Sequence, residues 1–382
     1  MKNTNSRRII FLDAARGLAV IVALFSHGMI IFRVWKQWDK DFNPIFGLVL
    51  RDLMHFATPS FIVLFGIMLE IVYYNKIQKI GEKAVRYRLL QRSLICYLGY
   101  CSALVIGTLK GTLSIHESLA ASVFLGDGHF NNVIKFWVIA LILAIPLMNF
   151  RLRFGLNLTV CAGLSLWLLV PFLDHFSWPH VSHPLAHLSA FLFGRPMGLS
   201  QISFLHSLAL IVLGMLLGRT LLIGMKAQHF RLFYKTLGCL IIASVVVIIG
   251  LAIHISPMQV LICYDNIFRE LHHIGYYVIG LTQALIGLLC LSWLFPLNKQ
   301  YDPKFSLLVI FGRFSLFSFV LGNIFLEFVL KEIPITIFTA ILYSFLLIGF
   351  LGVILIILER WLQFRQERIE CLPESIDTNL NS

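Results

Sequence analysis

An aspartate, an arginine and a histidine interrupt "LDAARGLAVIVALFSHG", residues 12–28, a run otherwise apolar enough to cross a bilayer. Each costs free energy in hydrocarbon, and ionisable groups at membrane depth commonly face a cavity or a protein interior and mark a functional path. Arg16 and His27 are eleven residues apart. At 100° per residue that is three turns plus ~20°, so on a helix both project from one face, ~16 Å apart along the axis. Asp13, three residues before Arg16, is its neighbour on the helix surface. An imidazole with an ordinary pKa of ~6.5 suits general-base work near neutrality, and a guanidinium suits an anion or a developing oxyanion. The plainer alternative is a local Asp13–Arg16 ion pair, with His27 satisfied by an adjoining helix.

The elements that must position these groups follow from composition. The 382-residue chain is 58% hydrophobic and 13% charged, against about 45–50% apolar and about 25% charged in soluble domains. An all-α, polytopic integral membrane protein is expected, because helices satisfy every backbone polar group within the segment. Ten runs have spanning length, near 9–32, 53–74, 93–110, 133–149, 155–173, 205–224, 236–254, 274–296, 306–330 and 336–358. Residues 1–358 then form one transmembrane domain and 359–382 a cytoplasmic tail, helical and charged at first and disordered at its end. With the N-terminus inside, inner loops and helix ends carry 20 of the 31 Lys and Arg and outer ones 8. Such an excess places both termini in the cytoplasm. The net charge of +12 is thereby explained by topology, and nucleic acid is not expected as a partner. The seven cysteines show neither disulfide nor metal spacing.

Histidines show the opposite asymmetry, eleven of the 13 falling in outer loops or at outer helix ends. The largest outer loop, roughly 174–204, holds "DHFSWPHVSHPLAHLSAFLFGRPMG". His175, His180, His183 and His187 lie close in sequence there, but Pro179 and Pro184 interrupt a regular helix and no Cys or well-spaced carboxylate completes a tetrahedral set. No metal is expected. Trp178 is a candidate for stacking on a sugar, and His206, opening the sixth run, for facing the same lumen.

The segment "RIIFLDAARGLAVIVALFSHG" resembles the first helix of the membrane acyltransferase-three superfamily, whose recurring feature is an Arg, ten residues, then a His. "ATPSFIVLFGIMLEIVYY" is similar to that family's Phe-rich second helix, with Phe65 where a Ser precedes the Gly, here Gly66. "YRLLQRSLICYLGY" is similar to the basic entry of its third helix without the frequent Pro. "FGRFSLFSFVLGNIF" looks like the Gly-Arg-x-Ser-Leu helix of the branch that modifies periplasmic glucans.

The resemblance implies transfer of an acyl group, acetyl or succinyl, from cytoplasmic acyl-CoA to a hydroxyl of a carbohydrate outside; ten spans with little bulk outside them suggest a bacterial inner membrane. CoA phosphates call for cations near the inner surface, and Arg86, Arg88, Arg92 and Lys83 are placed for them; orientation alone would also put cations there. Arg16 would hold the thioester end or stabilise charge on the reacting carbonyl. His27 would take the acceptor's proton, or carry the acyl group transiently. Arg313, beside Gly312, would line the cavity with Ser315 and Ser318. Glu70 would pair with an inner-loop cation. In the competing class, a secondary transporter, Arg16, His27 and Arg313 would line a substrate or proton path.

Overall fold

The computed structural model describes residues 9–31, 49, 51–128, 131–199, 201–265, 267–297, 306–328 and 336–370. Among them the regular structure is helical throughout. The order is α1 (Ile10–Ile31), α2 (Ala57–Met68), a π turn (Leu69–Tyr74), α3 (Asn75–Ile80), α4 (Glu82–Leu109), α5 (Ile115–Ser122), α6 (Asn132–Leu169) and α7 (Pro184–Phe193). There follow α8 (Phe204–Ala227), α9 (Arg231–Ile255), α10 (Pro257–Asp265), α11 (Ile267–Glu270), α12 (Ile274–Leu294), α13 (Leu307–Arg313), α14 (Ser315–Phe328) and α15 (Ile337–Glu370). Eight helices among the described residues are long and apolar enough to cross a bilayer, and α13 with α14 makes a ninth if that bent pair is one span. The chain is an integral membrane protein. The charged residues 359–370 continue α15 without a break; the expected disorder after them lies outside the described residues.

The count falls below the ten runs of the sequence at α6, which contains both the fourth and the fifth. Gly155 inside it has φ +84° and ψ 168°, a conformation essentially confined to glycine. Straight, the 32 residues from Lys135 to Trp167 would extend ~48 Å. Yet Lys135 Nζ donates to Gln201 Oε1 at 3.2 Å and Trp167 Nε1 to the His206 carbonyl at 3.0 Å, and five residues of chain reach at most ~18 Å. The element therefore folds back at Gly155, and the two predicted runs are its two legs.

The ninth run also departs from expectation. Instead of one straight helix, α13 and α14 meet at Phe314 with a bend of 96°. Packing on α1 explains the arrangement. A Cβ on Gly17 would collide with the Leu308 carbonyl, and one on Gly312 with the Asp13 carbonyl, so small residues let the two backbones touch, as in close helix crossings within membranes. α1 also meets α2, α12, α14 and α15. Protein thus surrounds it, which is how a segment bearing Asp13, Arg16 and His27 is tolerated.

On the end of the bundle rich in Arg and Lys, the π turn sets Glu70 against α6. Its carboxylate takes two hydrogen bonds from Arg151, Nη2 to Oε1 at 2.9 Å and Nε to Oε2 at 3.3 Å. The Arg151 guanidinium also lies 4.4 Å from the Tyr74 ring centroid. Both charges are buried and paired in the bidentate geometry that makes such burial tolerable. The expected cation partner of Glu70 thus comes from the turn between the legs of α6.

Candidate functional site

A cavity of ≈ 320 Å³ lies between α1, α2 with its π turn, α4, the first leg of α6 and α14. Its size is at the lower end for small-ligand pockets, about 300–1,000 Å³. Arg16, Arg92 and Tyr73 line one end, and Phe61, Trp137 and Phe319 belong to an apolar wall. Ser315, the first residue after the bend, is also in the wall.

Arg16 forms its ion pair with Asp13 one turn away, as the plainer reading of the spacing anticipates, while the same side chain lines the cavity. Its Nε is buried with no hydrogen-bond partner. Asp13 therefore neutralises the cation without using up its donors. Arg92 is exposed, lines the cavity and lies 5.7 Å from the centre of the Tyr73 ring.

His27 is not among the residues lining this cavity. It packs edge-on against Phe319, ring centroids 5.8 Å apart, and Phe319 lines the cavity. Phe319 in turn contacts Phe61 at 6.0 Å, and Phe61 contacts Trp137 at 6.4 Å. Trp137 also meets Phe65 edge-on at 4.8 Å, so Phe65 belongs to the same wall. The His27 ring is held by a hydrogen bond between Nδ1 and Asn323 Oδ1, 2.9 Å. Arg16 and His27 share the stripe that their spacing predicts, with an aromatic side chain between the cavity and the imidazole.

The remaining candidates are dispersed. Arg86 pairs with Glu82 at the surface, Arg88 is exposed, and neither lines the cavity. Arg313 pairs with Glu359 of α15, outside the cavity wall, and Ser318 spends its hydroxyl on the Phe314 carbonyl at 2.8 Å. His206 is buried in a separate cluster, with Nδ1 2.8 Å from Ser203 Oγ and its ring on Tyr277 at 5.0 Å and His272 at 5.8 Å. Burial, then the neighbouring His206, Arg195 and Arg269, push the His272 pKa down to about 3. Trp178 donates its indole N–H to the Leu173 carbonyl at 2.7 Å and packs on Phe193 at 5.6 Å.

Three of the loop histidines, His180, His183 and His187, make local contacts. His183 caps α7 by accepting from the Leu185 amide at 3.1 Å, and His187 Nδ1 is 3.4 Å from Gln201 Nε2. Burial, followed by the charge of Lys135, lowers the His187 pKa. Among the described residues no three His, Cys, Asp or Glu side chains are grouped to hold a metal ion.

Two groups here were not singled out from the sequence. Asn323 is an amide in an otherwise apolar stretch, a polar signal at membrane depth. Lys135 is fully buried, with Nζ donating to the Gly126 carbonyl at 3.1 Å and to Gln201. No protein-family model and no curated protein matches the chain.

Proposed function

We propose that this protein is an integral-membrane acyltransferase that moves an acyl group, acetyl or succinyl, from acyl-CoA to a hydroxyl of a carbohydrate on the opposite side of the bilayer. The observation that carries the reading is Arg16: a guanidinium within a membrane-spanning helix, in the wall of a mainly apolar cavity, on the same helical stripe as an imidazole. The motif resemblance of the first, second, third and ninth runs points the same way. On this reading both termini are cytoplasmic and the membrane is a bacterial inner membrane.

The residues divide the work by polarity. An apolar wall cannot solvate the CoA phosphates, so the nucleotide end stays at the basic surface near Arg92, with Arg86 and Arg88 adding charge. The thioester end enters toward Arg16, whose unpartnered Nε is a donor that orients the carbonyl oxygen of the bound thioester. His27 takes the proton of the acceptor hydroxyl while the hydroxyl oxygen attacks the thioester carbon. The C–O bond forms, the C–S bond breaks, and the CoA thiolate leaves and is protonated. The ~16 Å between the two residues along the α1 axis, with Phe319 between the cavity and the imidazole, requires the acyl end to pass Phe319, or His27 to carry the group transiently.

The bend between α13 and α14 favours a second reading, since discontinuous helices are a recurrent device of secondary transporters. Purified protein in detergent, given labelled acyl-CoA and candidate glycans, separates the two. The acyltransferase forms labelled glycan or releases CoA without any membrane compartment, whereas a transporter leaves acyl-CoA intact. His27→Ala should abolish turnover while leaving the protein inserted, and a fully active His27→Ala protein removes the assignment.

A further inference from the structure

His27 is held at two points by one helix. Phe319 and Asn323 are four residues apart on α14, hence on one face. The Phe319 ring meets the imidazole edge-on at 5.8 Å, and Asn323 Oδ1 lies 2.9 Å from Nδ1. Asn323 is itself anchored, its Nδ2 donating to Asn131 Oδ1 at 3.3 Å. Both asparagines are buried. Asn131 opens α6, where its amide donates to the Gly128 carbonyl at 2.9 Å. The next residue, Asn132, stitches the same turn by accepting from the Gly128 amide at 3.1 Å and donating to Asp127 at 2.8 Å.

We propose that Asn323 is a positioning residue that fixes the His27 imidazole as its Nδ1–H tautomer, so that Nε2 is the basic nitrogen presented to the reaction. The inference rests on the acyl-transfer reading and deepens it. A carboxamide oxygen can only accept, so an imidazole nitrogen facing it must carry the proton. With the Asn131 amide as it stands, reversing Asn323 would set its oxygen against Asn131 Oδ1, two acceptors face to face; the opposite His27 tautomer requires both amides to be reversed together. A neutral amide has no proton to exchange near neutral pH, so Asn323 orients the ring and does not relay protons. In the transfer step Nε2 takes the hydroxyl proton as the C–O bond forms. The resulting imidazolium keeps Nδ1–H on Asn323, and Nε2 then returns its proton to the departing thiolate. The wrong tautomer would present an N–H where a lone pair is needed, a fault that costs far more than one hydrogen bond in other histidine-dependent enzymes.

The test uses full-length protein, selectively ¹⁵N-labelled at histidine, with His27→Ala identifying the His27 resonances. The expected wild-type spectrum has a protonated, pyrrole-type Nδ1 and a pyridine-type Nε2, and Asn323→Leu moves part of the population to Nε2–H. A wild-type ring already in the Nε2–H form, or a ratio unmoved by Asn323→Leu, overturns the proposal. In steady-state assays Asn323→Leu should lower kcat about 10²-fold while KM for acetyl-CoA changes less than about threefold. Asn323→Asp, which still accepts from Nδ1–H, should restore kcat to within about tenfold of wild type. A purely structural interhelical contact predicts the reverse order, because a carboxylate facing Asn131 Oδ1 is worse for packing than leucine; folded Asp and Leu variants that are equally impaired therefore also overturn it. Wild-type protein that transfers no acyl group would sink the functional reading, and the nitrogen spectrum would still decide the tautomer.

Discussion

Phe319 separates Arg16 from His27: its ring belongs to the cavity wall that Arg16 shares and meets the His27 ring edge-on. If the acyl end must pass this ring, its size sets how tightly transfer excludes water. Phe319→Ala should raise the ratio of acyl-CoA hydrolysis to glycan acylation, by about tenfold for ~1.4 kcal/mol of lost discrimination. Counting free CoA against labelled product checks this, and an unchanged ratio would show that the ring does not guard the path.

Among the cations of the basic surface, Arg92 alone of Arg86, Arg88 and Arg92 lines the cavity. Arg92→Ala should raise KM for acetyl-CoA by roughly tenfold, as loss of one charge-assisted contact implies, with little change in kcat. Arg86→Ala, which breaks an exposed pair with Glu82 and a bond to the Asn149 amide oxygen, should leave both constants within about twofold. Steady-state kinetics on the two variants separates donor recognition from a charge that serves orientation.

The contact of α1 with α13 has no room for a methyl group. Gly17→Ala and Gly312→Ala should each prevent the two helices from docking, with loss of monodisperse protein on size-exclusion chromatography. Gly349→Ala is the control, because nothing lies within 4 Å of a Cβ there; it should behave as wild type or gain a few tenths of a kcal/mol in helix propensity.

Removing one partner of the Glu70–Arg151 pair leaves a buried charge unpaired, which typically costs about 3–5 kcal/mol. Glu70→Gln should lower the detergent melting midpoint well below that of wild type. The double replacement Glu70→Met with Arg151→Leu should recover most of it, since buried pairs exchange for apolar groups at little net cost. A double variant no better than the single one would point to a role for the pair beyond stability.

His272 gives the buried cluster it forms with His206 and Tyr277 an acid limit. Its folded pKa of about 3 compares with ~6.5 in an unfolded chain. Between those values the unfolded segment binds the extra proton, so stability is intact above ~6.5 and declines as pH falls toward 3. At pH 4.5 the loss approaches about 2–3 kcal/mol, two units at ~1.4 kcal/mol each. The protection of amides in α10 and α11, each rate referred to the intrinsic exchange rate at the same pH, should fall between pH 7 and 4.5. His272→Asn, which tolerates the positive φ of 49° at this position, should flatten that dependence.

How much of this was visible in the residues depends on the range of each interaction. The Asp13–Arg16 pair and the shared stripe of Arg16 and His27 follow from helical periodicity alone, and Arg92 from its place at the entry of a span. Asn323 was not legible as a partner of His27, because the two are 296 positions apart and nothing local in either segment names the other. The break at Phe314 was equally hidden. No proline marks it, and the docking of Gly312 on Asp13 that fixes α13 is a tertiary contact. Gly155 shows the converse: the sequence suggested two runs with a turn between them, and a glycine-only conformation supplies the turn. Arg86, Arg88, Arg313, His206 and Trp178 were selected by type and side of the membrane, which say nothing of which helix face carries them, and the packing distributes them away from the cavity wall.

Asn323 and the backbone of Leu308, which shelter the first helix, are made only after most of the chain. A ribosome producing this protein threads Asp13 and Arg16 toward the lipid while α13 and α14 do not yet exist. The i,i+3 spacing of the two charges puts them in reach of each other within a single turn, so the pairing needs no other element and can lower the charge the nascent segment presents to lipid before its final neighbours are made.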